Sequence, residues 1–167
     1  MTFHPQILVV MVFAAVMAVA AFEDFRRLVI PNLLPIMLCV LWPVYFAGSA
    51  SLFGALAAIG CAAAVFLVGA VLFARGWLGG GDVKLLSAAT LWAGPAGTPA
   101  LLMLTGVLGG ALALFLLMPF GSQITMAVRA LLGQPSVSTE RGMATPVPYG
   151  IAIAGAALIV VLSPHFG

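Results

Sequence analysis

The chain has 167 residues, 64% of them hydrophobic and 6% charged, with a formal net charge of +2. Soluble domains carry about 25% charged residues, so this composition excludes an ordinary soluble protein, and the small net charge gives no reason to expect nucleic acid as a partner. The number and length of the apolar runs place the chain in a lipid bilayer as an all-α integral membrane protein, with 1–167 expected to form a single domain.

The first apolar run extends from Pro5 to Phe22. Ala18-Val19-Ala20 has the small-residue pattern of a signal-peptidase site, but no Lys or Arg precedes the run, so it is expected to be retained as a helix. About 18 residues at 1.5 Å rise give about 27 Å, enough to cross. Glu23, Asp24, Arg26 and Arg27 follow it. Ile30-Pro31-Asn32 opens a second helix, with proline in the first turn where its missing N–H costs nothing. This helix reaches about Phe46, with a kink expected at Pro43 and a turn at Gly48-Ser49. A third helix covers about Leu52 to Ala74, where Gly54, Gly60 and Gly69 permit close packing.

The fourth helix is expected to start near Asp82 and to end before Gly94-Pro95. About twelve residues give roughly 18 Å, short of the ~30 Å hydrocarbon core. That shortfall would bring Asp82 below the membrane surface, beside a water-lined cavity. A fifth helix covers about Pro99 to Met118. In the polar segment Gly121 to Thr145, Gln123 to Leu132 reads as an amphipathic interfacial helix and Gln134 to Thr139 as a loop. Pro146 to Gly150 introduces a sixth helix that ends near Leu162. The expected architecture is a bundle of about six transmembrane helices with a short fourth.

Six crossings put Arg26, Arg27, Arg75, Lys84, Arg129 and Arg141 on one side. The positive-inside rule makes that side cytoplasmic. All four acids fall there, while both termini, with His4 and His165, fall on the other side.

Glu23, Asp24, Asp82 and Glu140 are the four acids. Asp82 follows Gly79-Gly80-Gly81, and a carboxylate beside hydrocarbon is functional by default. The glycines let backbone or substrate approach it closely. Asp24, 58 positions earlier, sits at a helix end on the same side. Two carboxylates held together share one proton. The ionised member takes a proton from water and the neutral member donates to a carbonyl oxygen, which hydrolyses a peptide without a covalent intermediate. An extended substrate would pair with the backbone alongside the glycines.

Structural roles stand beside this reading. Asp24 next to Arg26 and Arg27 could be interfacial charge, Asp82 could cap the fourth helix, and the glycines could form only a flexible turn. Glu23 and Glu140 read as solvated loop acids, and Lys84 as an orientation or headgroup-contact residue. Cys39 and Cys61 read as buried, inert thiols. Zinc-ligand spacing and an H-E-x-x-H motif are both missing from the sequence, so no metal is expected. A small transporter would be expected to show an internal repeat or deeper charges. A non-catalytic scaffold would tolerate loss of Asp82.

Gly79-Gly80-Gly81-Asp82 fits the GxGD motif of intramembrane aspartic proteases. The longer string Gly79 to Leu86, Asp24 with Arg26-Arg27 and Ile30-Pro31-Asn32, and Val147-Pro148-Tyr149-Gly150 together resemble the type IV prepilin peptidases. The small form is similar to the peptidase of Flp (Tad-type) pili. The resemblance implies removal of a short basic leader from prepilins at the cytoplasmic face of the inner membrane, typically after a glycine. It implies Asp24 and Asp82 as the catalytic pair, Gly79 and Gly81 as shaping the site, and Pro148, Tyr149 and Gly150 as lining it. It implies no cofactor, and prepilin, the lipid bilayer and pilus assembly machinery as partners. Longer members carry a cysteine-rich segment between their first two helices and also N-methylate the pilin. Here only Leu28 and Val29 separate Arg27 from Ile30, which leaves methyl transfer without that segment.

Overall fold

The computed structural model describes residues 5–47, 52–131 and 147–163. Among these residues six helices follow in order: α1 (Pro5–Arg27), α2 (Leu33–Phe46), α3 (Leu52–Ala74), α4 (Gly80–Leu117), α5 (Pro119–Leu131) and α6 (Tyr149–Leu162). No strand occurs among the described residues. By length and composition, α1 from Ile7, α3 and α4 can cross a membrane, and α2 and α6 are shorter apolar helices of 14 residues. Many large apolar side chains, including Phe53, Leu67, Val40 and Met103, point outward. On a membrane protein that surface faces acyl chains.

α4 joins the expected fourth and fifth helices into one element with a break at Gly94, whose φ of 64° and ψ of −176° are non-helical. That region is accessible essentially to glycine alone. Pro95 then opens the second arm, where it sacrifices no helical hydrogen bond, and Thr98 caps back onto the Gly94 carbonyl at 2.6 Å. The arms are residues 80–93 and 95–117. They are not collinear. A straight helix would separate Asp82 from Gly109 by about 40 Å. Yet a Cβ on Gly109 would touch the Tyr149 ring, the neighbouring Gly150 N–H bonds Asp24, and Asp24 and Asp82 line one cavity. The chain therefore turns back at Gly94 and returns to the end of the bundle that holds the aspartates. The first arm is 14 residues long, about 21 Å, and remains shorter than a full crossing.

Other boundaries shift for identifiable reasons. α1 continues through Arg27, so Glu23, Asp24, Arg26 and Arg27 lie on the helix rather than after it. Arg26 and Arg27 suit the negative C-terminal end, and Glu23 pairs with Arg27 at 3.3 Å, one turn apart. Pro31 lies just before α2, with Asn32 at the N-cap, instead of inside its first turn. Pro43 does lie within α2. α5 begins at Pro119, and Phe120, Ile124, Val128 and Leu131 form an exposed apolar stripe along it, as an interfacial helix requires. Cys39 is exposed and Cys61 half-buried. Neither is the interior thiol expected from sequence, because an apolar thiol is equally at home against lipid. The Gly48-Ser49 turn, the 134–139 loop, Glu140, Arg141, His4 and His165 lie outside the described residues.

α6 lies in the middle of the packing. Gly150, Ala152, Ile153, Ala154, Ala156, Ala157 and Val160 are buried on it, and such small side chains allow α1 and α4 to approach closely. Away from the aspartates, aromatic rings fill the core. Trp92 packs on Phe13 at 4.5 Å and on Tyr45 at 4.9 Å, and its indole N–H donates to the Leu38 carbonyl at 2.9 Å. Buried Ser87 and Thr90 donate to the carbonyls one turn back on α4, so these hydroxyls are satisfied within the helix.

Candidate active site

Asp24 is the last member of a buried stripe on α1. Phe13, Met17 and Ala20 are fully buried, and Asp24 is 5% exposed. Their spacing of four, three and four residues is that of one helix face. Extension of α1 past Phe22 thus carries the carboxylate into the protein interior. There it meets α6. The Gly150 N–H donates to Asp24 Oδ2 at 2.7 Å. Pro148 occupies the N-cap of α6 and has no N–H, and Tyr149 N–H is taken by the Val147 carbonyl. Gly150 therefore supplies a free donor of the first turn, where the helix dipole favours an anion. A Cβ on residue 150 would stand 2.8 Å from Asp24 Oδ2 and 2.9 Å from its Cβ, so this approach requires glycine.

Asp82 is held differently. Gly79 is the N-cap of α4, in extended conformation, and Gly80 and Gly81 are already helical. The glycine run is therefore a helix start and not a free turn. Asp82 is the third helical residue rather than the N-cap, and its carboxylate accepts a hydrogen bond from the backbone of Gly79. This is one half of a capping box, in which the third residue reaches back to the N-cap N–H. A Cβ on Gly79 would lie 2.7 Å from Asp82 Oδ2, and one on Gly81 would lie 3.0 Å from the Ile30 Cβ.

These elements enclose a cavity of about 240 Å³ lined by Asp24, Leu28, Val29, Ile30, Gly79, Gly80, Gly81 and Asp82. One wall is the end of α1 with the link to α2, and the other is the start of α4. The volume holds several waters. Leu28, just past α1, has a positive φ of 54°, a conformation that glycine usually occupies at a helix C-terminus. Its N–H closes onto the Asp24 carbonyl at 2.9 Å.

The structure thus brings Asp24, Asp82, Gly79 and Gly81 together around one cavity, with Gly150 reaching it through its N–H to Asp24. Pro148 and Tyr149 are not among the residues lining the cavity. Pro148 caps α6, and the Tyr149 ring packs over Gly109. Lys84, read from the sequence as an orientation or headgroup-contact residue, donates from Nζ to Asn32 Oδ1 at 2.8 Å. Leu28 and Val29 line the cavity with only the shortness of the α1–α2 link as their sequence signal, whereas Ile30 and Asn32 belong to the Ile30-Pro31-Asn32 block of the family resemblance. No group of three or more His, Cys, Asp or Glu side chains converges among the described residues.

Comparison with curated proteins and with solved structures finds no match. The type IV leader peptidase family matches residues 11–114, a stretch that holds both aspartates, the α1–α2 link and both arms of α4. On that match, over more than half of the chain, this membrane protein belongs to the type IV leader peptidase family, aspartic peptidases that cleave prepilin leader peptides.

Proposed function

We propose that Asp24 and Asp82 are the catalytic pair and that the chain removes the N-terminal leader of a Flp-type prepilin. The observation that carries this reading is the shared cavity. Two acids 58 positions apart in the chain meet on it, each held by a backbone N–H at the start of a helix. The ionised carboxylate takes a proton from a water in the cavity, and that water attacks the scissile carbonyl carbon. The protonated carboxylate donates to the carbonyl oxygen as the tetrahedral intermediate forms. Collapse breaks the C–N bond, with the proton passed to the leaving amine. The Cβ-free edge of Gly79 to Gly81 gives an extended substrate room to lie beside Asp82.

The short link between α1 and α2, without a cysteine-rich insertion, favours the small Flp-type form over the methylating one. The six basic residues on one side favour an active site at the cytoplasmic face of the inner membrane, with the termini opposite and pilus assembly machinery nearby. All of 1–167 then acts as one peptidase domain. The test is co-expression with a Flp-type prepilin, read as the mass of the pilin product, at matched membrane levels. Wild type is expected to remove the leader, and Asp24→Asn and Asp82→Asn are each expected to lose at least 1000-fold in rate. Normal processing by either variant would remove that residue from the pair.

A further inference from the structure

The Lys84–Asn32 hydrogen bond joins two residues that both forgo nearer partners. Asn32 stands at the N-cap of α2, where an asparagine usually accepts an N–H of its own first turn. Its side chain makes no such cap. Its Oδ1 accepts from Lys84 Nζ, 52 positions away, at 2.8 Å. Lys84 is two residues after Asp82, a spacing that turns the two side chains away from each other on a helix. Among the described residues the ion pair observed is Glu23–Arg27, and Lys84 reaches a neutral amide instead.

What this bond connects is specific. Asn32 ends the short link that follows α1, the helix carrying Asp24, and that supplies Leu28, Val29 and Ile30 to the cavity. Lys84 lies in the first two turns of α4, the helix that supplies Asp82. The link contains the left-handed Leu28 and touches α4 elsewhere through the close approach of Ile30 to Gly81. That approach is a van der Waals contact, which resists compression but does not oppose separation. The hydrogen bond opposes separation.

We infer that Lys84 and Asn32 form a strap across the two walls of the cavity, positioning the α1 aspartate against the α4 aspartate. The proposal rests on Asp24 and Asp82 being the catalytic pair. The strap is on the outside of the site and touches no reacting atom, so its loss changes the alignment of the carboxylates and not the binding of substrate. Misplacement by about 1 Å costs up to 100-fold in a positioned reaction.

The test uses the full-length protein in detergent or reconstituted vesicles, with prepilin cleavage followed for kcat and KM. Lys84→Met and Asn32→Leu are each expected to lower kcat about tenfold at unchanged KM. The double variant is expected to be no slower than either single one, since both remove the same bond. Asn32→Asp keeps an acceptor for Lys84 and is expected to stay within about twofold of wild type. Asn32→Leu at the wild-type rate would overturn the strap, because Lys84 would then be acting through its charge alone. Losses that multiply in the double variant would also overturn it, as would a rise in KM at constant kcat, which would place Lys84 against substrate or a lipid headgroup. If Lys84→Met fails to accumulate, Asn32→Leu and Asn32→Asp carry the comparison. In the same assay, cleavage by Asp24→Asn or Asp82→Asn would refute the catalytic pair itself, an outcome distinct from failure of the strap.

Discussion

The two aspartates reach one cavity from opposite electrostatic settings. Asp24 sits in the last turns of α1, at the helix end where an anion is disfavoured, and it is nearly fully buried. It is accommodated because the start of a second helix, α6, faces it with the Gly150 N–H. Asp82 sits in the first turn of its own helix, where an anion is favoured, is half-buried, and is held by that helix's own N-cap. The first carboxylate depends on tertiary packing between segments 126 positions apart. The second is held within four consecutive residues. A buried carboxylate held by a donor from a distant segment is the more fragile of the two, because the packing of α6 against α1 must stay in place to keep that hydrogen bond.

Substitution of either acid itself abolishes the proposed chemistry and is the largest effect expected. Next is Gly150→Ala. The new methyl would meet the root of the Asp24 side chain as well as its oxygen, and a buried helical residue cannot rotate away. At least a 100-fold loss of prepilin cleavage is expected, measured at matched membrane levels. Gly79→Ala should do less. Its methyl would meet only the far end of the Asp82 side chain, which has the cavity beside it to turn into, so about a tenfold loss of cleavage is expected. Equal losses from the two alanines would erase the distinction between a long-range and a local hold. The smallest effect on activity is expected at the aromatic end. Trp92→Phe removes the bond to the Leu38 carbonyl but keeps ring packing on Phe13 and Tyr45. Stability should fall by about 1 kcal/mol, read as a lower thermal midpoint in detergent, with cleavage unchanged.

Much of the helix plan was legible because it depends on run length and on proline and glycine. α3 occupies the residues expected from its apolar run, and α6 ends where its run ends. Gly94-Pro95 marked a break that is a reversal within α4, since glycine adopts the required dihedrals and proline can open the returning arm. The end of α1 was less legible. A charged cluster after 18 apolar residues looks like a boundary, yet the Phe13-Met17-Ala20 stripe runs through it to Asp24. The stripe was present in the sequence, but apolar residues surround α1 on all faces, so its buried side had no contrast. For the same reason Cys39 and Cys61 were read as interior thiols, whereas Cys39 is exposed and Cys61 half-buried.

By itself the sequence determined an all-α membrane protein, the positions of most helices, and a family pattern in which Asp24 and Asp82 stand out, because hydrophobic length, helix breakers and rare charges are local properties. Tertiary structure alone decided that Gly150 holds Asp24, that Lys84 bonds Asn32, and that Tyr149 packs over Gly109. Those outcomes depend on which helix faces meet. In a chain whose faces are nearly all apolar, that is set by the fit of small residues and backbone donors across the bundle, which no periodicity along the chain encodes.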